Sequence, residues 1–393
     1  MNQSSDSNTR LENPPALEGS APMFSAVLSG NKLIQARARE CLKVSSAIIG
    51  LLLSLVFLTL FTVTGASSAL RDALGGNTLL STLAFIVVFG LLTALLEFPL
   101  EAYFGYVQGK RFGLLKQSFG GWLVDNLKNL AVSLGISSLL FLGLYTIFRS
   151  FPDLWFPLAL GLIAALFGAM LFLAPKLARL NHKSSPINDP PLEERIRNVF
   201  SKAGVRLSKV SKLMVSAKTK GMNAMLSPDG VGTEVIITDT LLEKIDPAGV
   251  EIVLAHELGH KVHRDVPVLV VMSAVQIIVV IAVAQWLFAN LGTRFGLQGA
   301  GDIATLPLLM LSFTLIGQLA SLLINAYKRR MEYRADRYAL EITGNQPAFE
   351  AAFRVLASEN LTDPDPPRWV EIWLHDHPSI DKRLEAARAW SAA

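Results

Sequence analysis

Six apolar runs, each long enough to cross a bilayer as a helix, limit what this chain can fold into more than any other feature. They cover roughly 45–66, 79–100, 130–149, 154–175, 265–290 and 303–327, and about 20 apolar helical residues span the hydrocarbon core. The balance of residue types agrees. Hydrophobic residues make up 51% and charged residues 17%, and mean hydropathy is positive at +0.41, a combination soluble enzymes rarely show. The first run follows Lys32, Arg37, Arg39 and Lys43, and the third follows Lys110, Arg111, Lys116 and Lys128, whereas the opposite loops carry only Arg71, Arg149 and Arg294. Cytoplasmic loops hold the excess of Lys and Arg, so the N-terminus is expected in the cytoplasm. An even number of spans then returns residues 176–264 and 328–393 to that side.

The stretch Val253-Leu254-Ala255-His256-Glu257-Leu258-Gly259-His260 carries the chemistry. Asp246 suits a helix N-cap and Pro247 the first helical position, so a helix is expected through the motif. His256 and His260 then leave one face a turn apart, the spacing that brings two imidazoles onto one Zn²⁺. Glu257 lies beside the metal, where a carboxylate can take a proton from water. Five of the six histidines fall in two groups, His256, His260 and His263, then His375 and His377, which scattered structural histidines would not do.

A catalytic zinc needs a third protein ligand. Glu332 and Asp336 stand four apart in Met331-Glu332-Tyr333-Arg334-Ala335-Asp336. One carboxylate can bind the metal while the other accepts the remaining N–H of a ligand histidine. Alternatively both acids face water on a charged helix end beside Lys328, Arg329, Arg330, Arg334 and Arg337. Between the membrane halves, a helix opening at Asp189 is expected to bury Leu192, Ile196, Val199 and Phe200. Two strand-like runs, Leu213–Ala217 and Glu234–Thr238, enclose Asn223 to Leu226 and the turn Pro228-Asp229-Gly230. An edge strand there offers backbone pairing to a peptide. Glu97 and Glu101, near the end of the second run, are either functional carboxylates or interfacial ones.

Other classes recede. The net charge of +4 needs no nucleic-acid partner, and the single cysteine, Cys41, allows no intrachain disulfide. No cleavable signal peptide is expected, because residues 1–30 are polar. A six-span transporter or scaffold would leave Glu257 and Glu332 coincidental. An intramembrane-cleaving metalloprotease would carry a Leu-Asp-Gly motif, and the sequence has only Asp229-Gly230.

Further motifs mark a family. These are Pro99-Leu100-x-x-Tyr103, Arg111-Phe112-Gly113, Lys116 to Phe119, Asp125, Asn223-Ala224, Ile237 to Leu242, His256 to His260, Glu332-x-x-x-Asp336, and His377-Pro378 followed by Arg383. Together they resemble the membrane-embedded zinc metalloproteases typified by the type I CAAX prenyl protease, over nearly everything after residue 35. The resemblance implies one Zn²⁺ per chain on His256, His260 and Glu332, with Glu257 as the catalytic glutamate and Asp336 behind the ligands. It also implies substrate contacts at Asn223 and Ala224, and transition-state stabilisation near His377 and Arg383. His375 and His263 are left as structural or surface residues. The resemblance departs in its six spans, where such proteases usually show seven, and in a shorter segment after Asn223-Ala224.

The expected fold is thus mainly α, a polytopic membrane protein of about six spans with a cytoplasmic α+β gluzincin-type domain and a small sheet. Its expected division is a disordered cytoplasmic tail over 1–35, a four-span membrane domain over 36–175, the first catalytic part over 176–264, two spans over 265–327 and the second catalytic part over 328–393. The expected activity is zinc-dependent endopeptidase action on membrane-associated, lipidated or unfolded proteins. The expected partners are a peptide or protein substrate and the lipid bilayer. The expected place is a bacterial inner membrane, or the endoplasmic reticulum in a eukaryote.

Overall fold

The structure, a computed structural model, describes residue 28 and residues 30–391; the rest of the expected tail lies outside the described residues. Helix α1 (Gly30–Val63) begins within the stretch assigned to that tail. Its polar start is held by tertiary contacts that composition does not reveal. Lys32 meets Ser358 and Glu359 at 2.6 and 3.0 Å, and Arg39 donates to the carbonyls of Asn360 and Leu361.

After the short α2 (Ala66–Ala73), α3 (Leu79–Leu100) runs through a π-helical segment, Glu101–Val107, into α4 (Gln108–Arg111). Then come α5 (Phe119–Ser150) and α6 (Trp155–Asn181). Among the described residues, five helical stretches are long and apolar enough to cross a membrane: Gly30–Val63, Leu79–Arg111, Phe119–Ser150, Asp265–Phe295 and Ile303–Thr343. The sixth expected span falls on α6, a single helix of 27 residues whose apolar stretch is described over Trp155–Met170. Glu97 and Glu101 are both exposed, and Ser54 donates to Glu97 at 3.3 Å. At the end of the bundle away from the metal motifs, Arg71 and Asp302 form a buried 2.5 Å ion pair, and Tyr145 meets Thr305 at 2.8 Å.

Strand β1 (Lys183–Pro186) and helix α7 (Pro190–Lys202) open the soluble part, followed by β2 (Leu207–Met214), β3 (Ala224–Asp229) and β4 (Gly232–Thr238). The sheet order is β1-β2-β4-β3, with β2 parallel to β4 and the outer pairs antiparallel. The strand expected at 213–217 instead ends at Met214. Its next amides turn to Asp239, which accepts from Val215 and Ser216 at 2.9 and 3.0 Å. Asp189 caps α7, and its expected face of Leu192, Ile196, Val199 and Phe200 packs with Val235 and Ile237 in the core.

Past α8 (Asp239–Lys244), the motif helix α9 (Pro247–Val262) contributes Val250, Leu254 and Leu258 to that same core. Asp246 accepts from the Gly249 amide at 2.9 Å, the expected cap. α9 does not flow smoothly into the span α10 (Asp265–Leu291). Arg264 takes a left-handed conformation, φ 58°, and turns the chain. The long α11 (Leu306–Thr343) returns from the membrane, and α12 (Gln346–Glu359), α13 (Arg368–Leu374) and α14 (Ile380–Ser391) close the fold. The loop after α4 is stitched to the segment before β3: the Lys116 amide donates to Lys218 at 2.7 Å, the Lys220 amide to Leu114 at 2.9 Å, and Lys218 pairs with Asp125.

Candidate metal centre and active site

Two helices build the site, α9 and the C-terminal part of α11. They approach so closely because Gly259 has no side chain. A Cβ placed there would lie 2.9 Å from Ala335 Cα, a contact with backbone that a side-chain rotation cannot relieve. That approach aligns Glu332, one turn before Asp336, with His256 and His260.

His256 and His260 turn their Nε2 atoms toward each other, 3.2 Å apart. Glu332 faces both, its Oε2 3.4 Å from His256 Nε2 and its Oε1 3.3 Å from His260 Nε2. The ligand atoms of the three residues lie within 4.8 Å of one another. Each Nδ1 is occupied elsewhere: His256 donates to Asp336 at 2.9 Å and His260 to Asp265 at 2.7 Å. Such partners fix the tautomer and leave Nε2 free for a metal. Glu332 Oε2 is buried with no hydrogen-bond donor. Charge points the same way. Four carboxylates (Glu257, Glu332, Asp336 and Asp265) gather here beside the guanidiniums of Arg383 and Arg334, an acidic setting that favours a cation. The donor set fits a tetrahedral divalent metal with one position left open.

Arg383 is buried behind His256. It donates twice to Asp336, at 2.8 and 2.6 Å, lies 3.4 Å from Glu332 Oε2, and rests 4.3 Å over the Phe353 ring. Its guanidinium is therefore occupied by Asp336, Glu332 and the Phe353 ring. His377 stands more exposed, with Nε2 3.2 Å from Glu332 Oε1 and Nδ1 donating to Asp376 at 2.7 Å. Asp376 is held well below the usual carboxylate range by that histidine. Glu257 lies half-buried between the ligand histidines in sequence, and its burial pushes the carboxyl pKa up. Ala224 opens β3 in the core, whereas Asn223 is exposed and its amide donates to Thr238 Oγ1 at 3.0 Å. β3 is the terminal strand of the sheet and packs against α9.

His375 pairs with Glu40 of α1 at 2.8 Å, a structural role. His263 closes α9 through the Gly259 carbonyl at 2.7 Å. Asp265 was not singled out in the sequence. It lies five residues beyond His260 and reaches it only because the chain turns at Arg264. The available signal was a carboxylate at the very start of an apolar span, which needs a partner.

Burial lowers the basicity of His256, but the neighbouring carboxylates of Asp336 and Glu332 outweigh it and hold the pKa up to about 9. Burial opposes and Glu332 and Asp265 raise that of His260 as well. A raised histidine stabilises the metal-free fold below its ordinary value of 6.5, and that contribution is lost as pH climbs through about 9. A metal must displace these protons. Affinity of the metal-free protein for a divalent metal should therefore rise with pH across this window, with proton release. Chelator competition and proton counting in weak buffer check this; a pH-independent affinity would contradict it.

Two family models match the chain: peptidase family M48 over residues 186–391, and the CAAX prenyl protease N-terminal region, described as five membrane helices, over residues 13–179. Among the described residues of the second match the structure has four long helices, α1, α3, α5 and α6. The uncharacterised metalloprotease YhfN of Bacillus subtilis (strain 168) is 26% identical, over 95% of this chain and 89% of its own length. CAAX prenyl protease 1 of Saccharomyces cerevisiae is 22% identical, over 79% and 72%. Protease HtpX homolog 1 of Streptomyces coelicolor is 27% identical, over 57% and 72%. The crystal structure of S. mikatae Ste24p shares the fold with a TM-score of 0.80 at 20% identity, over 94% of this chain and 91% of that one.

Proposed function

The chain belongs to peptidase family M48 and is a multi-pass membrane metalloprotease, and from that premise we propose that it is a zinc-dependent endopeptidase acting on membrane-associated, lipidated or unfolded proteins. The observation that carries this reading is the convergence of His256, His260 and Glu332 within 4.8 Å, each histidine oriented from behind by a carboxylate. We assign one zinc per chain to these three residues. When bound, it supplies Lewis acidity to the scissile carbonyl and to the attacking water.

The chain's own groups do the rest. Glu257, its pKa raised by burial, accepts the proton of the attacking water and passes it to the leaving amine. His377, oriented by Asp376 at 2.7 Å, faces the site, where a ring N–H stabilises developing oxyanion charge. Arg383 acts through Asp336, holding it against His256, and so positions a ligand without touching substrate. An extended peptide adding to the edge of β3 past Asn223 and Ala224 would lie across α9, its backbone paired and its side chains read by neighbouring pockets. The yeast relative's name, CAAX prenyl protease 1, supports including lipidated substrates.

We place the catalytic parts, 176–264 and 328–393, on the cytoplasmic side from the charge bias of the flanking loops, in a bacterial inner membrane as the YhfN likeness favours. The test uses purified protein in bilayers with an unfolded or membrane-tethered peptide. Chelation should abolish cleavage, stoichiometric zinc should restore it, and His260→Ala should fail to regain zinc. Cleavage that persists without metal, or active protein with a zinc ratio near zero, would overturn the reading.

A further inference from the structure

Helix α13 is amphipathic in the wrong sense for water. Val370 and Glu371 are buried, at 2% and 5% exposure, whereas Trp369, Ile372 and Trp373 are 53%, 37% and 45% exposed. Residues 369, 372 and 373 lie one turn apart, on a single face. The charge of Glu371 points inward, accepting from the Ser379 amide at 3.0 Å and pairing with Lys382. Two tryptophans and an isoleucine displayed together on a helix whose acid is buried mark a surface that is not meant for solvent.

The fold fixes the height of this face relative to the bilayer from two sides. Asn325 donates to the Trp373 carbonyl at 3.0 Å, and Arg329 donates to the carbonyls of Glu371 and His375 at 2.9 and 2.7 Å. These α11 residues stand where the helix leaves its apolar run. On the other flank, Trp369 and Val370 share a cleft with Cys41 and Val44 of α1, just before that helix enters its own apolar run. Both spans put α13 at the level of the lipid headgroups. Arg368, Lys328 and Arg330 add cations at the same level, and tryptophan beside such cations is the pattern of a membrane–water boundary.

We propose that α13 is an interfacial anchor, with Trp369, Ile372 and Trp373 inserted at the boundary between headgroups and acyl chains. The occupant of this face is the bilayer itself, because the face continues the belt that the two spans already present to lipid. The catalytic domain thus touches the membrane through its own C-terminal part as well as through its spans. α13 leads directly into His375–Pro378, the loop that carries His377.

The test places one nitroxide at a time on the full chain in phosphatidylcholine–phosphatidylglycerol bilayers, in a Cys41→Ser background. Labels enter at Trp369→Cys or Trp373→Cys, with Val231→Cys on the β3–β4 turn as the aqueous reference and Leu319→Cys on α11 as the lipid reference. Each variant must retain zinc and cleavage before it is scored, and Ile372→Cys replaces either tryptophan position that fails. Labels at 369 and 373 should relax more with oxygen than with a water-soluble nickel chelate, as at 319 and opposite to 231. Relaxation dominated by the nickel chelate would show a water-facing helix and overturn the proposal. Protection from both agents would show the face covered by protein, a second copy or a peptide, and would overturn it equally.

Discussion

Glu257→Gln protein is expected to keep one zinc per chain while cleaving about 10²–10⁴-fold more slowly, the range that proton transfer by a placed side chain contributes. The expectation follows from position. His256, His260 and Glu332 close around one point, and Glu257 is not in that group. Its carboxyl sits in a buried setting that makes it a better proton acceptor than an exposed glutamate. An amide keeps the shape and removes the basicity, so binding and chemistry separate. His260→Ala should lose zinc and activity together, because two ligands cannot hold the ion. Elemental analysis and peptide turnover, measured on both variants, decide it. A Glu257→Gln protein that cleaves at the parental rate removes the proposed base, and one that loses zinc as completely as His260→Ala makes Glu257 structural.

Arg383→Met should destabilise the metal-free protein by about 3–5 kcal/mol, the usual cost of leaving a buried charge uncompensated. Asp336 is fully buried, and Arg383 gives it two hydrogen bonds. Methionine fills the volume over Phe353 but leaves the buried Asp336 with only the His256 contact at 2.9 Å to offset its charge. Arg383→Lys should recover part of the loss, since a point charge cannot reproduce the two-pronged contact. Thermal unfolding of the metal-free protein reads the effect directly. A variant that unfolds like the parent yet cleaves slowly would mean that Arg383 serves the reaction and not the scaffold.

What could be read from the sequence was mostly local. A helix with a cap at Asp246 puts His256 and His260 on one face by periodicity alone, and the same arithmetic gave the buried side of α7. The apolar runs showed themselves because lipid demands length and hydrophobicity together. Contacts between distant segments were invisible. Nothing near Gly30 shows that Lys32 and Arg39 will find the end of α12, so a helix start looked like a tail. β2 ended early because Asp239, across the sheet, took the amides that would have extended it. Asp265 reaches His260 through one left-handed residue, Arg264, which no periodicity predicts. The contact of Arg383 with Asp336 was hidden for a similar reason, since the two lie 47 positions apart.

α11 is one unbroken helix of 38 residues, about 57 Å of continuous rod at 1.5 Å per residue. One end is gripped by the bilayer and the other carries Glu332. No break within α11 separates Glu332 from the lipid-facing half, so excising the spans would remove the stretch of helix that holds it. A kinking substitution between Thr314 and Glu332 is therefore expected to disturb a metal ligand from a distance.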